Sequence, residues 1–180
     1  MPGTSGVRRR RRSIPMTHFK MKALLTTSAL VAATAAVGTA ASDPDGKYYK
    51  KLKKPDWNPP NAAFPIAWTT LYTDIALTTG LTLADLWEAG ELTGTSKEAK
   101  RFLTALVANL ALNGGWSWAF FRAQQPMLSA AWAGVLAASS ADLTRRVSKV
   151  SKMRGIALAP YPAWTAFATA LSCAVWKLND

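Results

Sequence analysis

The sequence predicts an all-α fold, an integral membrane bundle of five transmembrane helices. Three observations carry that expectation. Five stretches hold no charge or a single one: Ala23 to Ser42, Trp57 to Ala84, Phe102 to Phe121, Ala123 to Ala141 and Gly155 to Trp176. Each run is long enough for a hydrocarbon core about 30 Å thick, which needs roughly 17–25 residues of helix. None alternates as a strand would, and a soluble domain of 180 residues has no way to bury five such helices on every side. Lipid then requires each segment to close its own backbone hydrogen bonds, which a helix does.

The elements follow in chain order. Residues 1–20 read as a basic tail and 21–180 as the membrane domain. The run Arg8 to Arg12 lies among Gly, Ser and Pro without aromatic neighbours. Blocks of like charge are solvated tails, and Met16 or Met21 could each be a start downstream of it. Residues 1–42 imitate a secretory signal in outline. The apolar core of 20 residues is long for one, so this segment reads as a retained first helix. It ends at "SDPDGKYY", a turn-forming cluster. A long basic connection, Asp43 to Pro60, leads to the second helix. Pro59 or Pro60 is expected in that helix's first turn, where a missing N–H costs nothing. The second helix should end near Ala84, with a charged loop from Asp85 to Arg101. The third helix closes at "SWAFF", and the short "RAQQPM" leads to the fourth. There Ala130, Gly134 and Ala138 recur every four residues and permit close helix approach. A basic loop from Asp142 to Arg154 precedes a fifth helix opening near Pro160.

Orientation follows from Lys and Arg placement. With the amino terminus inside, the inner segments carry fifteen of these residues and the outer segments seven. A start at Met16 makes this ten against seven. The expectation is a multi-pass protein of the cell membrane with a cytoplasmic amino terminus.

Composition excludes several chemistries. The single cysteine, Cys173, permits no internal disulfide. The single histidine, His18, rules out metal clusters and histidine-based triads. Carboxylates are few and sit mostly in loops, so paired acid/base catalysis is not expected. The basic tail lacks the aromatic interleaving of a nucleic-acid surface. No catalytic residue, metal or required cofactor is predicted. Asp74 stands alone within an apolar run and reads as paired to a neighbouring helix or protonated.

Eight tryptophans are present. Trp87, Trp118 and Trp176 fall at span ends, where indole favours the interface. Trp68, Trp116 and Trp164 fall within spans, on helical stripes: Phe64, Trp68, Leu71, Tyr72 and Ile75; Asn109, Asn113, Trp116 and Phe120; Tyr161, Trp164, Ala168, Leu171 and Val175. Bundle packing explains such stripes readily. Two asparagines on an aromatic face also need polar partners, and a ligand edge is one candidate. A pocket of indoles, a tyrosine and amides would suit a flat, mostly apolar ligand, a tetrapyrrole or a sterol.

These residues resemble the TspO/MBR family. "YYKKLKKPDWNPP", "AWTTLY", "LALNGGWSWAFF" and "APYPAWTAFATAL" are similar, in order, to its first-loop, second-, third- and fifth-helix signatures. The resemblance implies a five-helix bundle, commonly dimeric, with porphyrin or haem bound in a pocket under the first loop. By position, that pocket would include Trp68, Asn113, Trp116, Trp164, Ala168 and Leu171. Its lid would include Pro55, Trp57, Pro59 and Pro60. Three departures qualify it. Cys173 replaces the tyrosine of the cholesterol-recognition pattern, Ser172 stands where the family has Asn, and Trp132 falls about a turn late for a pocket position. The expected function is tetrapyrrole binding or sensing, by a homodimer in the lipid bilayer, with a regulatory or stress-response role. Light-dependent porphyrin breakdown through pocket tryptophans and transport of small amphipathic molecules are the alternatives.

Overall fold

The computed structural model describes residues 16–180. The Arg8 to Arg12 run and most of the predicted 1–20 tail lie outside them. Every regular element among the described residues is helical, and five are long: α1 (Met16–Ala41), α3 (Ala63–Thr93), α4 (Lys97–Ser117), α5 (Pro126–Val150) and α7 (Pro160–Asn179). Two short helices, α2 (Lys47–Lys51) and α6 (Lys152–Leu158), sit in connections, and a π-helical turn (Trp118–Arg122) extends α4. Among them, α1 has the length and hydropathy to cross a membrane by composition alone, over His18–Ala41 with a mean hydropathy of 1.6. The other long helices carry Trp, Asn, Thr and Ser on their packed faces, and those side chains lower the average.

Several boundaries differ from the sequence expectation. Helix α3 continues through Asp85, Glu88 and Glu91 to Thr93 and stops at Gly94, whose φ of 72° is left-handed. The expected loop at 85–101 therefore shrinks to three residues, because nothing before Gly94 breaks the helix. The expected loop at 142–154 is likewise helical except at Ser151. Asp142 pairs there with Arg145 and Arg146 along α5, and the Ser151 hydroxyl accepts the Arg154 N–H to start α6. Pro65, not Pro59 or Pro60, occupies the first turn of α3. The connection 42–62 contains α2, which the sequence reading missed.

Packing pairs the helices tightly at small residues. A carbon added at Gly80 of α3 would fall 2.7 Å from Thr27 Oγ1 and 3.2 Å from the Leu24 Cα of α1. At the same crossing Thr27 donates to the Ala76 carbonyl at 2.8 Å. Trp132 of α5 lies against Gly115 and donates its indole N–H to the Leu112 carbonyl of α4 at 2.8 Å. That contact places it outside the cavity described below. In the expected small-residue series, Ala130 is buried, Gly134 faces Thr169 of α7, and Ala138 is exposed.

One end of the bundle is closed by Arg154, which binds Asp85 and donates to Thr82 at 3.1 Å, tying α6 to α3. Lys22 lies over the Trp87 ring at the same end. At the other end Arg122 donates to the Ala40 carbonyl at 2.8 Å. The main core holds Ile75, Leu83, Leu106, Leu143, Leu158 and Tyr161, and a second cluster of Tyr49, Phe120, Leu171 and Val175 lies toward the first loop.

Candidate functional site

A cavity of about 470 Å³ lies between the C-terminal part of α1, the first half of α3, the end of α4, α7 and the first loop. Its size falls within the roughly 300–1,000 Å³ of small-molecule sites. All six residues expected from sequence to bind a ligand line it: Trp68, Asn113, Trp116, Trp164, Ala168 and Leu171. They come from three helices, and their convergence is a tertiary fact.

The walls are aromatic. Trp68 and Trp164 meet edge to face with centroids 6.5 Å apart, and Trp68 stacks on Tyr72 at 5.4 Å. Trp116 stacks on Phe120 at 5.3 Å. Such pairs hold rings at fixed angles and keep the wall from collapsing inward. The Trp116 indole N–H is buried without a partner among the described groups. In the π turn the Ala123 N–H bonds to the Trp118 carbonyl, five residues back, at 2.9 Å. That local widening leaves consecutive residues, Phe120 and Phe121, both on the cavity.

The mouth is covered by the first loop. Lys54, Asn58 and Asn61 line the cavity, while the expected lid residues Pro55, Trp57, Pro59 and Pro60 stand outside the lining. Trp57 instead packs edge-on to Phe167 at 5.8 Å and remains half exposed. The prolines stiffen the loop, and of its side chains Lys54, Asn58 and Asn61 face the cavity. Lys54 Nζ sits 3.7 Å above the Tyr49 ring. Burial pushes the phenols of Tyr48 and Tyr49 above their ordinary range, with a hydrogen bond to Asn58 opposing this at Tyr49. Both stay neutral.

The cavity floor is polar, and here the sequence reading needs correction. The asparagines are satisfied within the protein. Tyr72 donates to Asn113 Oδ1 at 2.8 Å, Asn113 Nδ2 donates to Tyr161 at 3.1 Å, and Tyr161 donates to Asn109 Oδ1 at 2.8 Å. Asn109 Nδ2 reaches Ser139 and Ser140 of α5 at 3.1 and 3.2 Å. Tyr72 and Tyr161 were placed on stripes by spacing, but nothing in spacing made them partners of the amides. Ser172, the departure from the family pattern, also lines the cavity. Asp74 is part-buried on α3 away from the cavity, and its carboxylate has no partner among the described residues, so of the two expectations, helix pairing or a protonated carboxyl, the pairing is not met. No group of three or more possible metal ligands occurs among the described residues.

Among the described residues this is an all-helical bundle enclosing an aromatic-walled cavity. The TspO/MBR family model matches residues 24–177, and the chain belongs to that family. It is 30% identical over 162 residues to the tryptophan-rich protein TspO of Chlorobaculum tepidum, covering 88% of this chain and 98% of that one. It is 35% identical over 137 residues to the translocator protein of Ovis aries, covering 74% and 76%. It is 31% identical over 155 residues to the tryptophan-rich sensory protein of Cereibacter sphaeroides, covering 86% and 90%.

Proposed function

We propose that the chain crosses the cell membrane five times, with its amino terminus cytoplasmic. In this reading it binds a flat, mostly apolar ligand of the tetrapyrrole class and couples occupancy to a regulatory or stress response. One observation carries the reading: indoles at 68, 116 and 164, from three helices, converge on one cavity. Stacking surfaces at fixed angles suit a planar macrocycle, and Lys54 with the loop amides suits carboxylates at the mouth. The "sensory" name of the relative and the family's habit of pairing support a sensing homodimer.

The test is a titration of the purified protein with protoporphyrin IX, in the dark and under light. The expected result is a saturable Soret shift in the dark with no new absorbing product under light. Absence of a dark response would overturn the binding reading. Products formed only in light, and lost in Trp164→Phe, would favour light-dependent breakdown instead.

A further inference from the structure

The polar floor has a direction. The Leu136 backbone carbonyl can only accept, so Ser140 commits its one hydrogen there, at 2.8 Å. Toward Asn109, Ser140 can then only accept, so Asn109 turns its amide nitrogen to Ser140 and its Oδ1 to Tyr161. An amide oxygen only accepts, so the Tyr161 hydroxyl donates to it, and the Tyr161 oxygen is left to accept from Asn113 Nδ2. That orientation presents Asn113 Oδ1 to Tyr72, and the Tyr72 hydroxyl must donate. Each link is fixed by the one before it, back to a backbone carbonyl. The hydrogen of Tyr72 is thereby used, and what its hydroxyl retains is a lone pair.

Tyr72 lines the cavity and is partly exposed to it, while the Asn113 amide behind it is buried. On the α1 side the hydroxyl faces Gly38, whose missing side chain leaves room for a methyl-sized group. A carbon added at Gly38 would stand 3.9 Å from Tyr72 Oη and 3.5 Å from Ser117 Oγ, in ordinary contact. Successive donors aligned in one sense also polarise each other, which makes the terminal oxygen a better acceptor.

We propose that Tyr72 sets ligand specificity. Its oxygen accepts a hydrogen bond from an N–H or O–H on the edge of a flat ligand and disfavours an ether, carbonyl or carboxylate oxygen at that place. This rests on reading the cavity as a site for flat ligands and adds the chemistry of one edge. A porphyrin keeps its N–H groups inside the ring, so this contact applies to flat ligands that carry an N–H or O–H on the rim, as the terminal lactam of an open-chain tetrapyrrole does, with any carboxylates at the Lys54 mouth.

Carbazole, fluorene and dibenzofuran share one flat outline and differ at a single edge position, which is N–H, CH₂ or O. Their affinities for the purified full chain are measured by calorimetry or fluorescence, with protoporphyrin IX titrated alongside. The expected order is carbazole, then fluorene, then dibenzofuran, with carbazole over dibenzofuran by about fivefold to tenfold, the scale of one hydrogen bond. In Tyr72→Phe the three should converge. Gly38→Ala leaves the hydrogen-bonded chain intact and places a methyl beside the hydroxyl. It should weaken carbazole more than fluorene, and it serves if the Phe variant fails to fold. The inference is overturned if the wild type treats carbazole and dibenzofuran alike, if the preference survives Tyr72→Phe, or if none of the three binds. Protoporphyrin binding without the carbazole preference sinks the Tyr72 inference alone. The carbazole preference without protoporphyrin binding sinks the tetrapyrrole reading alone.

Discussion

The side-chain amide of Asn179 clasps the backbone of Lys53: Oδ1 accepts the Lys53 N–H at 2.9 Å, and Nδ2 donates to the Lys53 carbonyl at 2.9 Å. The two residues are 126 positions apart. The last turn of α7 thus holds the first loop at the point where it begins to cover the cavity. Nδ2 also donates to the Val175 carbonyl of its own helix at 2.7 Å, which fixes the amide's orientation.

Removing this clasp should loosen the cover without emptying the site. In Asn179→Ala, backbone amides of residues 52–61 are expected to exchange faster with solvent. Ligand dissociation should quicken several-fold, since each lost bond contributes about 1 kcal/mol. Hydrogen exchange and stopped-flow release of a bound porphyrin would measure both, and unchanged exchange would show that the clasp does not hold the loop.

The asparagine at the cavity floor should matter to stability as well as to binding. Asn113→Ala strips the acceptor from Tyr72 and the donor from Tyr161, which leaves the Tyr72 hydroxyl unpaired while Tyr161 keeps its bond to Asn109. A loss of about 1–3 kcal/mol is expected, the cost of orphaned buried polar groups. Unfolding of the detergent-solubilised protein would report it.

Two glycines should respond oppositely to the same added methyl. Gly80→Ala drives carbon into Thr27 and the Leu24 backbone, so α1 and α3 must separate, at about 1–3 kcal/mol for overpacking. Gly134→Ala meets only Thr169 Cγ2 at 3.8 Å and should be neutral or slightly stabilising. Melting temperatures of the two variants decide this, and equal effects would mean the α1–α3 crossing is looser than described.

Acidification should fray the end of α5. Hydrogen bonds from Arg146 and then Arg145 hold the Asp142 carboxyl below its ordinary value of 3.8. A depressed carboxylate stabilises the fold above its unfolded value and loses that contribution as pH falls through its folded value. The effect is small because the pair is partly solvated. Amide protection over residues 143–150, corrected for the intrinsic pH dependence of exchange, should fall below about pH 4, and Asp142→Asn should remove that fall.

The helical class, the long apolar segments and the aromatic stripes were legible in the chain, because side-chain character repeating at helical spacing is a local property. Trp68, Asn113, Trp116 and Trp164 fell on those stripes, and it was the resemblance to the TspO/MBR signatures that marked them as a pocket. Where helices stop was less legible. Charged residues at 85–91 and 142–149 read as loop, yet a charged segment without a breaker stays helical when Arg154 and the Asp142 pairs give its charges partners. The order of partners was not legible at all. Asn113 meeting Tyr72 and Tyr161, Trp132 seated on Gly115, and Asn179 grasping Lys53 join residues far apart in the chain.

The sequence by itself determined that this protein is a bundle of long helices with its indoles on defined faces, because periodicity and composition act within one helix. Only the tertiary structure decided that those faces enclose one cavity, which side chains cover its mouth, and that its floor presents an oxygen lone pair. Those outcomes depend on how neighbouring helices cross, and the crossings are set by close contacts such as Gly80 on Thr27 that no single segment contains.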